Sequence, residues 1–270
     1  MLAPLDNSVV FKKLFTDREV LQAFVKDVTG ATIDPVTIET EKSFAPPIGA
    51  IDIKIDIFAD DPEHRLIVEI QRVRYDYHYD RFLYYHHAAI MELQRSHTQY
   101  LLGKTVYTIV WLTGKDDALP KDLITTSLRS VTSDGAEVPL YPHKLFFLNP
   151  NYQSDQTPAA VRDWLELVFE SITHPEQPHL NTTRQIIRKA TGLIESDGLT
   201  PTERRVAMED QGYEDNLIFR EHKGRQEGLA ESRVKIAAAM LAKGFEPTMV
   251  AELTDLPVAE ILKLSQQKMT

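Results

Sequence analysis

The chain reads as an α/β or α+β protein, with a mixed central sheet flanked by helices and an α-helical C-terminal tail. Three observations predict this. Strand-type runs stand at "IDIKIDIF", "LIVEIQ", "TVYTIVWL" and "KLFF". Helix-period apolar patterns lie before, between and after them. Beyond about residue 175 only helical patterns remain.

Composition supports a packed protein. Of 270 residues, 43% are hydrophobic and 26% charged, enough for a substantial core and against general disorder. There are no cysteines, which excludes disulfides, thiolate zinc sites and a cysteine nucleophile. The N-terminus shows no secretion signal and no run of about 18 apolar residues occurs, so a soluble cytoplasmic protein with no membrane partner is expected. The net charge of -10 argues against a broad basic surface for nucleic acid. Any such binding must be local, metal-assisted or absent.

The elements follow in order. Residues 9–29 place Phe11, Leu14, Phe15, Val20, Leu21, Phe24 and Val25 at helical spacings, with Gly30 as the stop. The Pro-containing stretch to Ile48 reads as a short extended piece and a loop. Residues 50–58 read as a strand, with Ile51, Ile53, Ile55 and Ile57 on one face and Asp52, Lys54 and Asp56 on the other. "DDPEH" is a turn with Pro62 at its second position. The strand returns over 65–71, setting Leu66, Val68 and Ile70 against Ile67, Glu69 and Gln71.

Residues 75–95 form a helix on which Arg81 can share a face with Tyr84 and Tyr85. A strand over 105–112, a hairpin-like pair around "SDGAE", "KLFFLNP" and an amphipathic helix over 158–173 come next. The stretch 174–185 is the expected linker. The organisation expected is thus a domain over 1–175, a helical linker region over 176–230 and a small helix-turn-helix-like element over 231–270. In that last element a helix ends at Gly244, another begins near Pro247, "TDLP" turns, and a third begins near Val258.

The chemistry concentrates in the hairpin. Asp56 and Glu69 converge if they meet across it, and two carboxylates on rigid strands suit a hard divalent cation. A cation held so can orient water and offset charge on a phosphate. The same charges also suit a solvated strand face.

"IDIF" with Asp56, followed by "VEIQ" with Glu69 and Gln71, resembles the PD-(D/E)XK nuclease superfamily, and more specifically the recombination-promoting nuclease / putative transposase family. "DNSVVFKKLF", "RFLYYHHAAI", "YTIVWL", "KLFFLNP", "VRDWLELVF" and the tail from "KGRQEGLAESR" resemble the family's pieces in their order. The resemblance implies a restriction-endonuclease-like core and a Mg²⁺- or Mn²⁺-dependent DNA endonuclease linked to recombination or mobile elements. Asp56 and Glu69 would be the metal-binding acids, and Gln71 would stand where the superfamily has a lysine. Gln carries no charge but can orient water through its amide.

Lys54 shares a strand face with Asp56 in this reading, and either substitutes for the missing lysine or pairs with Asp52 or Asp56. Arg81 either contacts phosphate or anchors the acids by a forked ion pair. Glu19 could reach the metal region or stay solvated. His86 and His87 point apart on their helix and make a poor metal pair. The alternative function is a nuclease fold kept as a DNA-binding or protein-interaction module with little cleavage. The two tail helices resemble a helix-turn-helix that could dock in DNA, or serve as a helical cap or a route to a homo-oligomer.

Overall fold

The structure is a computed structural model, described here for residues 1–44, 53–72, 78–93 and 102–266. Ile51 and Asp52, and the ends of the 75–95 helix, lie outside the described residues. The chain divides into two compact units, Met1–Asp210 and Gln211–Thr270.

The first unit opens with two helices, α1 (Ser8–Phe15) and α2 (Arg18–Thr29), where the sequence predicts one over 9–29. The break has a local cause. Asn7 caps α1, its Oδ1 accepting the N–H groups of Val9 and Val10 at 3.1 and 3.4 Å. Asp17 then caps α2 by accepting Val20 N–H at 3.1 Å, and its extended backbone stops α1 from running on. Gly30 ends α2 with φ 78°, as its sequence position predicts.

Six strands form one mixed sheet in the order β1-β2-β3-β4-β8-β5. They are β1 (Thr37–Phe44), β2 (Ile53–Asp60), β3 (His64–Gln71), β4 (Thr105–Leu112), β5 (Leu123–Ser127) and β8 (Lys144–Leu148). The hairpin β2–β3 is antiparallel, β4 and β8 continue it in parallel, and β1 and β5 close the two edges antiparallel. β6 (Ser130–Val131) and β7 (Glu137–Val138) are the small pair expected around "SDGAE". β1 falls in the stretch read as a short extended piece and a loop, and β5 escapes the sequence reading. "TIETEKSF" and "LITTS" are too polar for a buried strand, as edge strands with one wet side can be.

Asp61 shapes the β2–β3 turn, its Oδ1 accepting Glu63 and His64 N–H at 2.8 and 2.6 Å. Helix α3 (His78–Met91) covers one face of the sheet, and α1, α2, α4 (Ala159–Thr173) and α5 (Gln185–Leu193) cover the other. On that second face Phe24 joins the helices to the sheet. Its ring lies 5.6 Å from Trp111 of β4, 5.4 Å from Trp164 of α4 and 4.8 Å from Phe15 of α1.

Residues 174–184, expected as a linker, are pinned to the first unit. His179 N–H donates to Glu170 at 2.9 Å, Asn181 to Asp163 at 3.0 Å, and Arg184 pairs with Asp27 and Asp163. α5 then buries Ile187 and Ala190 in the same core.

α6 (Pro201–Ala242) begins in the first unit and ends in the second. In the second unit α6, α7 (Pro247–Thr254) and α8 (Val258–Gln266) enclose Ala237, Val250, Ala251 and Ile261. Gly244 at φ 82° and Asp255 at φ 56° make the turns. These bounds agree with the expected helices. No helix among the described residues is long and apolar enough to cross a membrane.

Asp17 also accepts Lys189 of α5 at 2.7 Å, so it serves two contacts. Asp17→Ala should cost about 1–2 kcal/mol, seen as a fall in Tm of roughly 2–4 °C per kcal/mol. Asp17→Asn, which caps equally well, should recover most of the loss in the same thermal melt.

Candidate active site

The β2–β3 ladder is regular from the turn to Ile57, which pairs with Val68. One step further, side chains take over from backbone. Asp56 N–H donates to Glu69 Oε1 at 3.0 Å, and Ile70 N–H donates to Asp56 Oδ2 at 3.1 Å. Each carboxylate thus occupies an amide of the opposite strand. The β1–β2 ladder shows a matching gap, pairing Thr40 with Ile57 and Lys42 with Ile55 but skipping Glu41 opposite Asp56. Glu41 has φ 56°, in the left-handed region a non-glycine residue rarely occupies.

The inward faces change at the same place. Ile53 and Ile55 pack in the layer under α3, whereas Ile57 and Ala59 pack in the opposite layer. The expected single face for Ile53, Ile55 and Ile57 is therefore corrected. Asp56 sits at the switch and turns its carboxylate towards β3, so it does not simply share a face with Lys54. β3 keeps the expected alternation, with Leu66 and Val68 in one layer and Ile67 in the other.

Burial sets the electrostatics. Glu69 is buried at 3% exposure, and loss of water, then the Asp56 carboxylate beside it, hold its carboxyl well above the usual range. Burial also raises Asp56, against the Ile70 amide and the charges of Lys12 and Arg81. A buried and a half-buried acid side by side both resist losing their protons. A hard cation would relieve both, and oxygen donors from carboxylates match its preference. Among the described residues no three His, Cys, Asp or Glu side chains group as a ligand set. The donor set therefore fits Mg²⁺ or Mn²⁺ only with water or substrate oxygens completing the shell, a pattern usual for Mg²⁺.

Arg81 of α3 aligns with the site through Gln71. Its Nη1 donates to Gln71 Oε1 at 2.9 Å and its Nε to Tyr85 Oη at 3.1 Å. The guanidinium carbon lies 5.2 and 5.5 Å from the Tyr85 and Phe82 rings. Tyr84 and Tyr85 pack in the α3 layer as expected, and the Tyr85 hydroxyl also positions Arg81.

Lys54 reaches neither Asp56 nor Glu69. Its Nζ bonds Glu41 Oε2 at 2.8 Å, and Glu41 Oε1 takes Lys12 Nζ of α1 at the same distance. The two lysine bonds, Lys12's first, draw the Glu41 carboxyl down to about 2. Lys12 and Glu41 were missed by sequence reasoning. Lys12 stands on the polar side of "FKKLF" and looks like any solvated lysine. Nothing in "TEKSF" signals the left-handed turn at Glu41.

Glu19 is exposed and pairs with Lys189 at 2.8 Å. His86 is buried against Thr108, its Nδ1 2.9 Å from Oγ1, while His87 is exposed. A hollow of about 320 Å³ beside α4, lined in part by Asp122, Arg162 and Asp163, includes none of the hairpin acids.

The tail connects this geometry to known proteins. Residues 230–266 match the C-terminal HTH domain of the Rpn/YhgA-like nuclease family. The match lies within the second unit and supports the family resemblance seen in the sequence, together with a nuclease or DNA-associated role. It does not extend to the β2–β3 hairpin. No curated protein and no solved structure matches the chain.

The raised Glu69 carboxyl has a measurable sign. The folded chain keeps a proton that the unfolded chain releases, so this group's contribution to stability falls as pH rises from the ordinary carboxyl range through the raised folded value. In chelator, Glu69→Gln should therefore melt above the wild type at about pH 8, with the gap closing towards about pH 4. A gap that does not change with pH would contradict the assignment.

Proposed function

We propose that this protein is a divalent-cation-dependent DNA endonuclease of the PD-(D/E)XK type, associated with recombination or mobile elements. The observation that carries this reading is the pairing of half-buried Asp56 with buried Glu69 at the point where the hairpin ladder gives way to side chains. Asp56 and Glu69 would hold Mg²⁺ or Mn²⁺, each keeping one carboxylate oxygen away from its amide bond. Bound there, the cation supplies a Lewis acid for a phosphate oxygen and an oriented water.

The chain's own groups do the rest. Arg81 donates to the Gln71 carbonyl oxygen and so sets the orientation of the side-chain amide, through which Gln71 would help position the attacking water. Arg81 Nη2 is left to contact a phosphate. The tail's match to a nuclease-family HTH domain gives the nuclease a second DNA-associated module.

A second reading follows from Gln71. It offers no charge and no titratable proton where the superfamily has a lysine, which favours a DNA-binding or protein-interaction module with weak cleavage. Supercoiled plasmid separates the two. With Mg²⁺ or Mn²⁺ the wild type should nick it, chelator should stop nicking, and Asp56→Ala or Glu69→Ala should each lower the rate roughly 100-fold or more. No nicking, or nicking that survives both substitutions, would favour the module.

A further inference from the structure

Gln71 leaves the acid pair without the lysine of the motif it resembles, so the cation facing a phosphate must come from elsewhere. Among the described residues Arg81 and Lys12 act on the acids, and Lys54 stands beside Glu41. Arg81 spends Nε on Tyr85 and Nη1 on Gln71 and is sandwiched against aromatic rings. Lys54 stands 62% exposed on the outer side of Glu41, whereas Lys12 is 20% exposed.

Lys12 reaches the site from a different layer. It projects from α1, whose Phe11, Leu14 and Phe15 are locked in the core. A flexible side chain thus has a rigid base. Glu41 then holds its ammonium at 2.8 Å, opposite Asp56 and at the break in the β1–β2 ladder. The left-handed backbone of Glu41 is a conformation that persists only where its surroundings demand it. Of the cations here, Lys12 and Arg81 act most strongly on both Asp56 and Glu69. The neighbouring Lys13 is committed elsewhere, to Gly198 O at 2.7 Å and Glu203 at 3.2 Å.

We propose that Lys12 is a second cation, besides Arg81, that contacts the phosphodiester at the Asp56–Glu69 pair, and that Glu41 is its positioning residue. The inference rests on the nuclease reading for its chemistry. In that chemistry water attacks phosphorus in line, a P–O bond forms and the bond to the leaving oxygen breaks. The attacking water gives its proton to solvent and the leaving oxygen takes one from solvent. Lys12 moves no proton. Its ammonium bonds a non-bridging oxygen and offsets the charge gathered there.

The test compares Lys12→Gln, Glu41→Gln, Lys54→Ala and Lys13→Ala in the full chain, after melts establish that each is folded. If the wild type nicks plasmid, Lys12→Gln should lose roughly 100-fold in rate. Glu41→Gln should lose less, and Lys12→Arg should recover part of the rate. Lys13→Ala should cleave like the wild type. Lys12→Gln cleaving normally while Asp56→Ala is dead would overturn the proposal and leave the nuclease reading intact, as would Lys54→Ala losing more than Lys12→Gln.

Binding of a short duplex in Ca²⁺, followed by anisotropy across a salt series, decides the matter even if nothing is cleaved. Loss of a phosphate contact should lower the slope of log K against log salt by about 1 in Lys12→Gln. A purely structural lysine would leave that slope unchanged, and an unchanged slope overturns the proposal.

Discussion

In the middle of the sheet Asp56 N–H turns away from the backbone of β3 and bonds the side chain of Glu69, while Ile70 N–H bonds the side chain of Asp56. A buried amide must find an acceptor, and a buried carboxylate must find a donor. The exchange satisfies both needs while bringing two charges out of water and beside each other. The neighbouring features go with that compromise: the missed pairing of Glu41, the change of layer along β2 and the charges of Lys12 and Arg81 acting on the acids.

The compromise explains which parts of the site were legible. Asp56, Glu69 and Gln71 are visible because they interrupt otherwise apolar strands, and strand period assigns Glu69 and Gln71 to one face. The layer change is invisible, because Ile53, Ile55 and Ile57 fit perfect alternation on paper. What breaks it is the exchange of side chains for backbone at Asp56 and Glu69, beside the left-handed Glu41 of the neighbouring strand. Lys12 was hidden for a related reason. It is brought in by tertiary packing of α1, and a lysine beside Phe11 carries no mark of its destination.

The fold followed the same rule. Central strands β2, β3, β4 and β8 and helix α4 announce themselves through apolar period. The division of the first helix depends on a single cap, Asp17, whose effect outweighs the helical spacing of the apolar residues around it. The tail is different again. Its three helices were legible because Gly244, Pro247 and "TDLP" punctuate them, and its core is small enough to be read from spacing alone. Between residues 230 and 266 stand five acidic and four basic side chains, all exposed.

The left-handed residue at Glu41 also shapes the open edge of the sheet. β1 is an edge strand, and a long flat edge is a template on which another chain can add. Here the edge changes face halfway along, as Ile38 packs in one layer and Phe44 in the other. An incoming strand could follow either half but not both. The same kink that seats a carboxylate beside the acid pair therefore guards the open side of the sheet against aggregation.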